Sequence, residues 1–114
     1  WKATPKSLWI YALAKNQKPH LNIPLGYAPF FNVYENGNVC MGSVQVNERK
    51  ASCLEDFIIQ WEDYFFNSYF SHQLGSYPIT KIPLISLWQE LTQSNKSFPC
   101  ELLNPNHLTL QQIL

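Results

Sequence analysis

The sequence has few charged residues, and their two signs cancel. Eight basic and eight acidic residues in a chain of 114 give a formal net charge of zero. A nucleic-acid-binding surface needs clustered lysine and arginine, so we expect no nucleic acid partner. No apolar run approaches the roughly 18 residues of a membrane-spanning helix, and no signal peptide is visible. We therefore expect a cytoplasmic protein with no membrane partner.

Cysteine is also scarce, and its spacing argues against two kinds of site. An odd count of three, without a Cys-x-x-Cys pair, disfavours a disulfide scaffold and favours a reducing compartment. The cysteines are Cys40, Cys53 and Cys100. The histidines are scattered as well: His20, His72 and His107. Because this spacing does not match a zinc site, we expect no metal and no other cofactor.

Apolar side chains, in contrast, are plentiful. They make up 46% of the residues, and aromatic side chains make up 15%. This is ample for one core, but 114 residues do not comfortably form two. We expect residues 1–114 to form a single domain. Because the chain begins at Trp1 rather than at methionine, we expect it to be part of a longer protein.

The first quarter of the chain predicts a strand and then a loop. Residues 7–14 have the aromatic and β-branched content that is typical of a strand. Residues 15–29 are polar and contain three prolines and Gly26, which predicts a surface loop.

The middle of the chain predicts a long amphipathic helix. Ser52 and Glu55 have the spacing of a capping box, so the helix should begin near Cys53 and run to about Tyr69. Apolar residues recur at spacings of three and four and form one stripe: Leu54, Phe57, Ile58, Trp61, Tyr64 and Phe65. Cys53 itself is expected to be a partly buried structural thiol.

Two further helices are expected in the last third. One should span residues 84–93 with Trp88 facing the core, and a short terminal helix should span residues 107–114. The predicted fold class is therefore α+β, with a small antiparallel sheet followed by helices.

The strongest turn signal in the chain lies within residues 29–43. An Asn36-Gly37 pair stands between two short runs of strand-forming residues, and Asn-Gly supplies the positive φ angles of a tight hairpin turn. A lone thiol on the return limb of a hairpin is accessible to a large partner. The turn is expected to bring Val39 and Cys40 alongside Val33 and Tyr34.

The spacing around Cys40 resembles the active-site region of ubiquitin-conjugating enzymes. In that family an asparagine, normally within His-Pro-Asn, precedes the acceptor cysteine by eight residues, as Asn32 precedes Cys40 here. The family's Gly-x-Ile/Val-Cys-Leu pattern is matched by Gly37, Val39, Cys40 and Met41.

One departure from that pattern resembles a divergent bacterial branch. Phe30 and Phe31 stand where most ubiquitin-conjugating enzymes have histidine and proline. Residues 25–72 are similar to the prokaryotic family typified by PRTRC system protein B, above all in residues 25–34, 39–43 and 61–72, whereas residues 73–114 carry no distinctive match. The resemblance implies a ubiquitin-conjugating fold of which this chain holds a C-terminal portion.

The same resemblance implies roles for three residues. Cys40 would accept a protein modifier as a thioester and pass it to an amine; cysteine suits both steps, because it attacks as a thiolate and its sulfur leaves readily afterwards. Asn32 would donate to the oxyanion or hold the active-site loop in shape, with turn capping as the alternative. His72, in a Ser-x-Phe-x-His stretch, would act as a base or orient the loop, with capping of a helix C-terminus as the alternative.

Four more residues are expected to support the active-site loop: Phe30, Phe31, Tyr34 and Gly37. For the two phenylalanines, an exposed contact patch is the alternative.

The implied activity is that of a ubiquitin-conjugating-type acyl transferase. Its implied partners are a ubiquitin-like modifier, a ThiF-like activating enzyme and a JAB-type protease, encoded on a bacterial plasmid or mobile element. Two other functions stay open. One is a non-catalytic binding module of the same fold, although inactive relatives usually lose the cysteine. The other is a Cys-His hydrolase using Cys40 and His72, although no orienting Asp or Asn motif accompanies them.

Overall fold

A computed structural model describes residues 1–47 and 51–114. These residues form two compact units: unit 1 contains residues 1–10 and 30–75, and unit 2 contains residues 11–29 and 76–114. Short antiparallel strands and three α-helices make the fold α+β, as predicted. None of the helices in the described ranges is long and apolar enough to cross a membrane.

Unit 1 combines a two-stranded sheet, a hairpin and one long helix. Strand β1 (Lys2–Ala3) pairs antiparallel with β2 (Leu8–Trp9), and helix α1 spans Leu54–Phe66. The predicted hairpin is present, with Val33 opposite Val39. The core of this unit is apolar, and its most buried side chains are Leu8, Val33, Val39, Trp61 and Phe65.

Helix α1 confirms the predicted element but ends earlier than expected. Trp61 and Phe65 of the predicted stripe are buried, while Leu54 at the first turn is exposed. The helix stops at Phe66 rather than near Tyr69. The Asp63 carbonyl oxygen accepts from both the backbone N–H (3.0 Å) and Nδ2 (2.7 Å) of Asn67, the C-cap residue, and side-chain bonds of this kind are common where a helix ends.

The predicted capping box at the start of α1 is not formed. Cys53, not Ser52, is the N-cap residue, and it makes no side-chain bond to the helix backbone. Glu55 accepts instead from its own backbone N–H and from the Cys53 thiol, and these bonds lower the pKa of its carboxyl group. Cys53 is exposed, so the prediction of a partly buried thiol was wrong.

Unit 2 contains a three-stranded antiparallel sheet and two α-helices. Strands β3 (Tyr11–Ala12), β4 (Pro24–Tyr27) and β5 (Pro105–Thr109) lie in the order β3-β4-β5. Helix α2 spans Leu84–Thr92, a 3₁₀ turn spans Cys100–Leu102, and helix α3 spans Leu110–Ile113. The buried apolar residues of this unit are Ile23, Leu25, Ala28, Tyr77, Ile79, Leu84 and Leu87.

Helix α2 agrees with the prediction to within one residue at its end. Leu84 and Leu87 face the core, and the half-buried Trp88 ring donates from Nε1 to the Pro29 carbonyl oxygen at 2.8 Å. The terminal helix is shorter than predicted because residues 105–109 are strand β5.

Two predictions for the first quarter of the chain need correction. Residues 7–14 form two short strands with different partners, since β2 pairs with β1 and β3 pairs with β4. Residues 15–29 are not loop throughout, because Pro24–Tyr27 is the central strand β4. Proline is allowed as the first residue of a strand. Gly26 permits a close backbone neighbour, because a β-carbon on residue 26 would lie only 3.4 Å from the Asn104 carbonyl oxygen.

Candidate functional site

The hairpin that carries Cys40 is closed by a short turn. The backbone N–H of Tyr34 donates to the Asn38 oxygen, and that of Gly37 donates to the Tyr34 oxygen, both at 2.8 Å. Gly37 has a φ of 82°, a left-handed conformation that a side chain would oppose. This combination is a turn followed by a left-handed residue, which closes a three-residue hairpin loop.

Asn36 stabilises this turn in a different way from the one predicted. Among the described non-glycine residues, only His107 has a positive φ, so Asn36 does not adopt the left-handed conformation expected of a two-residue Asn-Gly turn. Its side-chain Oδ1 accepts from the Asn38 N–H at 3.0 Å instead. A side chain that bonds the backbone two residues ahead is a common turn device of asparagine.

Strand β2 supports the hairpin from outside. The Val39 N–H donates to the Leu8 oxygen, and the Ile10 N–H donates to the Gly37 oxygen, each at 2.9 Å. Trp9 also forms an antiparallel bridge with Asn38. The return limb is therefore held on two sides, which fixes the backbone immediately before Cys40.

Cys40 lies opposite Asn32. Its backbone N–H donates to the Asn32 carbonyl oxygen at 2.8 Å, next to the Val33–Val39 pair. Val39 lies opposite Val33. Tyr34 is paired with Asn38 rather than with the residues that a two-residue loop would place opposite it, because the loop has three residues. The Cys40 side chain is half-buried, so the thiol is not sealed in the core.

The Tyr34 side chain reaches Cys40 although the two residues are not paired. Alternate residues of a strand share a face, so Tyr34 and Cys40 are diagonal neighbours across the hairpin. The hydrogen bond between the Tyr34 hydroxyl and the Cys40 sulfur, followed by the charge of the thiolate, raises the pKa of Tyr34 above its ordinary value of 10.0. Tyr34 is exposed, and this contact therefore lies at the surface.

Asn32 is a buried polar residue with a fixed side chain. Only 6% of its surface is exposed, and its Nδ2 donates to Ser68 Oγ at 2.9 Å. Ser68 Oγ in turn donates to the Phe65 carbonyl oxygen at 2.6 Å. A continuous set of hydrogen bonds thus joins the end of α1 to Asn32 and, through its carbonyl, to Cys40.

The segment after α1, residues 68–74, lies against both limbs of the hairpin. At its far end the Leu74 N–H donates to the Phe31 oxygen at 3.0 Å. In the middle of the segment, the Phe70 ring lies close to Gly42. A β-carbon on residue 42 would be 3.0 Å from the Cζ atom of Phe70. Gly42 has a φ of 55°, so both its backbone and its surroundings favour glycine.

His72 lies within this segment and is exposed. Its Nδ1 is 3.2 Å from Ser71 Oγ, and among the hydrogen bonds of the described residues none joins its ring to Cys40. The residue lies beyond the C-cap Asn67, so it does not cap α1. His72 is held near the hairpin only through the segment that carries it.

The two phenylalanines before Asn32 have different positions. Phe30 packs edge-on against Phe65 with ring centroids 5.0 Å apart, and it lines an apolar cleft of about 220 Å³ with side chains from β2 and α1. Both phenylalanines are half-buried. Phe30 therefore anchors the start of the hairpin to α1, and Phe31 contributes the carbonyl that holds Leu74.

The other two thiols have different surroundings. Cys53 is at the exposed start of α1, and the half-buried Cys100 makes a 3.7 Å contact from Sγ to the Phe98 oxygen in unit 2. Within residues 1–47 and 51–114, no group of three or more His, Cys, Asp or Glu side chains could hold a metal ion.

Chemically, the arrangement presents one sulfur with one hydroxyl donor beside it and a fixed backbone behind it. Two contributors were missed from the sequence: the hydroxyl of Tyr34 as a partner of the sulfur, and Ser68 as the partner of Asn32. The first follows from strand alternation once the register is known. The second joins residues 36 positions apart, and no local pattern indicates it.

A comparison with protein-family models identifies the family. The model described as Prokaryotic E2 family D matches residues 1–106 of the chain. The chain therefore belongs to prokaryotic E2 family D, and the α+β architecture is that of a ubiquitin-conjugating-like fold. A search of curated proteins and a search of solved structures gave no match.

Proposed function

We propose that this member of prokaryotic E2 family D carries a ubiquitin-like modifier as a thioester on Cys40 and passes it to an amine. The observation that supports the proposal most is the half-buried Cys40 thiol on a hairpin limb whose backbone is held by Asn32 and by strand β2. A sulfur in such a place is reachable by the end of another protein chain, and the backbone behind it is held by hydrogen bonds.

The proposed reaction has two acyl transfers. In the first, the Cys40 thiolate attacks the carbonyl carbon of the activating enzyme's thioester; a new C–S bond forms and the activating enzyme's thiolate leaves. In the second, an amine attacks the same carbonyl carbon, the Cys40 C–S bond breaks, and the amine loses a proton. Thiolate is both a good nucleophile and a good leaving group, so the chain needs no metal or cofactor for either step.

Among the supporting residues, Asn32 is proposed to order the loop. Its buried amide is bonded to Ser68, and its carbonyl holds the Cys40 N–H, so the residue fixes the limb from which the sulfur projects. We also retain His72 as the proposed base for the amine, supported by its exposure and by the attachment of its segment to the hairpin. Gly37, Phe30 and Phe31 are proposed to support the hairpin.

We further propose that the chain is a cytoplasmic protein of the PRTRC-like branch, and that residues 1–114 act as one domain. The Phe30-Phe31 pair and the sequence of residues 61–72 support this branch. Its partners would be a ubiquitin-like modifier and a ThiF-like activating enzyme, with a JAB-type protease in the same bacterial system on a plasmid or mobile element.

The test is a loading reaction with the modifier and the activating enzyme encoded beside this chain, with ATP, followed by a non-reducing gel. A carrier gives a modifier adduct that dithiothreitol removes, and Cys40→Ser gives a thiol-resistant ester or no adduct. Cys53→Ser is the matched control and should load normally. Stable association without an adduct would indicate a binding module, and cleavage of the modifier without ATP would indicate a hydrolase.

For His72, the loaded wild-type protein and the loaded His72→Ala variant are mixed with free lysine. A base role predicts that His72→Ala loads normally but discharges more slowly than the wild-type protein. His72→Gln is the companion variant, since it keeps a polar side chain but cannot take up a proton at neutral pH. Equal discharge by all three proteins would remove His72 from the mechanism.

A further inference from the structure

The hydrogen bonds behind Cys40 point to a residue that the proposed reaction does not yet use. We propose that Ser68 is a positioning residue for the acyl transfer at Cys40, acting through Asn32; this rests on the proposed function. Ser68 does not touch the sulfur in any hydrogen bond that the described residues make.

The direction of each hydrogen bond is fixed by its neighbours. The Ser68 hydroxyl has one hydrogen, and the 2.6 Å bond to the Phe65 carbonyl uses it, because a carbonyl can only accept. Ser68 Oγ must therefore accept from Asn32, and the bond at 2.9 Å comes from the Asn32 amide Nδ2. This assignment orients the amide group of Asn32 in one of its two possible directions.

The location of the bond makes it consequential. Asn32 is 6% exposed, so water cannot readily replace a partner that its amide loses. The Phe65 carbonyl is one of the last in α1, and it accepts from Ser68 twice, from the backbone N–H at 3.3 Å and from the hydroxyl at 2.6 Å. The Ser68 hydroxyl therefore links the end of the helix to the hairpin, where the buried Asn32 amide depends on it for a hydrogen bond.

The other end of Asn32 holds the nucleophile. Its backbone oxygen accepts the Cys40 N–H at 2.8 Å, so a shift of the Asn32 backbone would move the limb that carries the sulfur. The acyl transfers need the sulfur within a narrow range of positions, and small displacements reduce such rates strongly. We therefore expect loss of the Ser68 hydroxyl to slow transfer even though the protein stays folded.

The experiment needs no partner protein. Cys40 is acylated by exchange with a small-molecule thioester of acetyl-glycylglycine, in a Cys53→Ala, Cys100→Ala background, and its aminolysis by hydroxylamine is timed. Ser68→Ala should slow aminolysis about tenfold, which is the factor that corresponds to one ordinary hydrogen bond. Ser68→Thr keeps the hydroxyl and should stay within about twofold of the parent rate.

Two comparisons separate positioning from a general loss of stability. Asn67→Ala is the matched control, because Asn67 also bonds a terminal carbonyl of α1 but has no bond to the hairpin. It should leave the aminolysis rate unchanged. The second comparison combines Ser68→Ala with Asn32→Ala. If Ser68 acts through Asn32, the double variant reacts no more slowly than Asn32→Ala alone.

Three results would each overturn the role of Ser68. The effects of Ser68→Ala and Asn32→Ala on the aminolysis rate could multiply in the double variant, or Asn67→Ala could slow aminolysis as much as Ser68→Ala does. Ser68→Thr could also fail to keep the parent rate. The same variants are then loaded with the modifier. A wild-type protein that undergoes the small-molecule reaction but never loads the modifier contradicts the proposed function alone, and leaves the test of Ser68 intact.

Discussion

At the scale of single residues, the contact between Tyr34 and Cys40 has a measurable consequence. The hydrogen bond to the sulfur and the thiolate charge both raise the pKa of Tyr34, so removing the sulfur should lower it toward 10.0. Cys40→Ala removes both causes. Cys40→Ser removes the charge but keeps a hydrogen-bonding group, and should give an intermediate pKa.

Carbon-13 NMR titration of the tyrosine Cζ signals measures these values. Tyr11 is the internal control, because burial raises its pKa and Cys40 plays no part in that. Its titration should be the same in all three proteins. A Tyr34 signal that titrates identically in the parent and in Cys40→Ala would mean that the hydroxyl and the sulfur are not in contact in solution.

Gly42 gives a second residue-scale prediction. Its φ of 55° and the 3.0 Å approach of Phe70 both oppose a β-carbon, so Gly42→Ala should lower the free energy of unfolding by roughly 2 kcal/mol. Urea denaturation measures the change, and Ser43→Ala is the neighbouring control. Adding Phe70→Leu should recover the steric part only, since it leaves the backbone conformation unchanged. A loss below about 0.5 kcal/mol would contradict the geometry.

Single residues were predicted well where the signal was local. Cys40 on a hairpin limb and Gly37 in its turn follow from strand-forming residues around an Asn-Gly pair. The role of Asn36 was mistaken, because the same pair can close a loop of two or three residues and the sequence does not distinguish them. Ser68 belongs to the Ser-x-Phe-x-His stretch, but its hydrogen bond to Asn32 could not be predicted, since that bond is set by tertiary packing.

At the scale of elements, the start of helix α1 predicts a pH-dependent contribution. The pKa of Glu55 is lowered first by its own backbone N–H and then by the Cys53 thiol. A lowered pKa in the folded protein means that the ionised carboxylate favours folding. This stabilisation is present above the ordinary value of 4.5 and is lost as the pH falls through the lower, folded value.

Carboxyl carbon-13 titration tests this arrangement. Cys53→Ala removes one donor and should raise the pKa of Glu55 partway toward 4.5, because the backbone donor remains. Cys53→Ser keeps a donor and should preserve the low value. Identical titration of Glu55 in the parent and in Cys53→Ala would show that the thiol does not bond the carboxylate.

Elements differed in how far the sequence determines them. Helices α1 and α2 were predicted because an amphipathic stripe is a property of consecutive residues. Strands β4 and β5 were missed because they depend on pairing with each other across most of the chain, with Pro24 opposite Thr109. The prolines and Gly26 around β4 are typical of loops, and only the tertiary pairing makes a strand of that segment.

At the scale of the whole molecule, the path of the chain bears on how it unfolds. Each unit is built from two separated stretches, so the backbone passes between unit 1 and unit 2 after Ile10, Pro29 and Gly75. Neither unit is a continuous segment that could be excised. A chain of 114 residues is also short for two independently stable cores. Both facts support the prediction of a single domain that unfolds cooperatively.

Fluorine NMR of protein labelled with 5-fluorotryptophan tests that prediction directly. Trp88 reports on unit 2, whereas Trp1, Trp9 and Trp61 report on unit 1. If residues 1–114 are one domain, the Trp61 and Trp88 signals lose their native positions at the same urea concentration, with equal slopes. The exposed Trp1 serves as a control for local fraying of the chain end. Separate midpoints for Trp61 and Trp88 would mean that the chain has two folding units. If unit 2 then unfolds first, loading at Cys40 should survive its unfolding, because the hairpin, α1 and the segment with Ser68 all belong to unit 1.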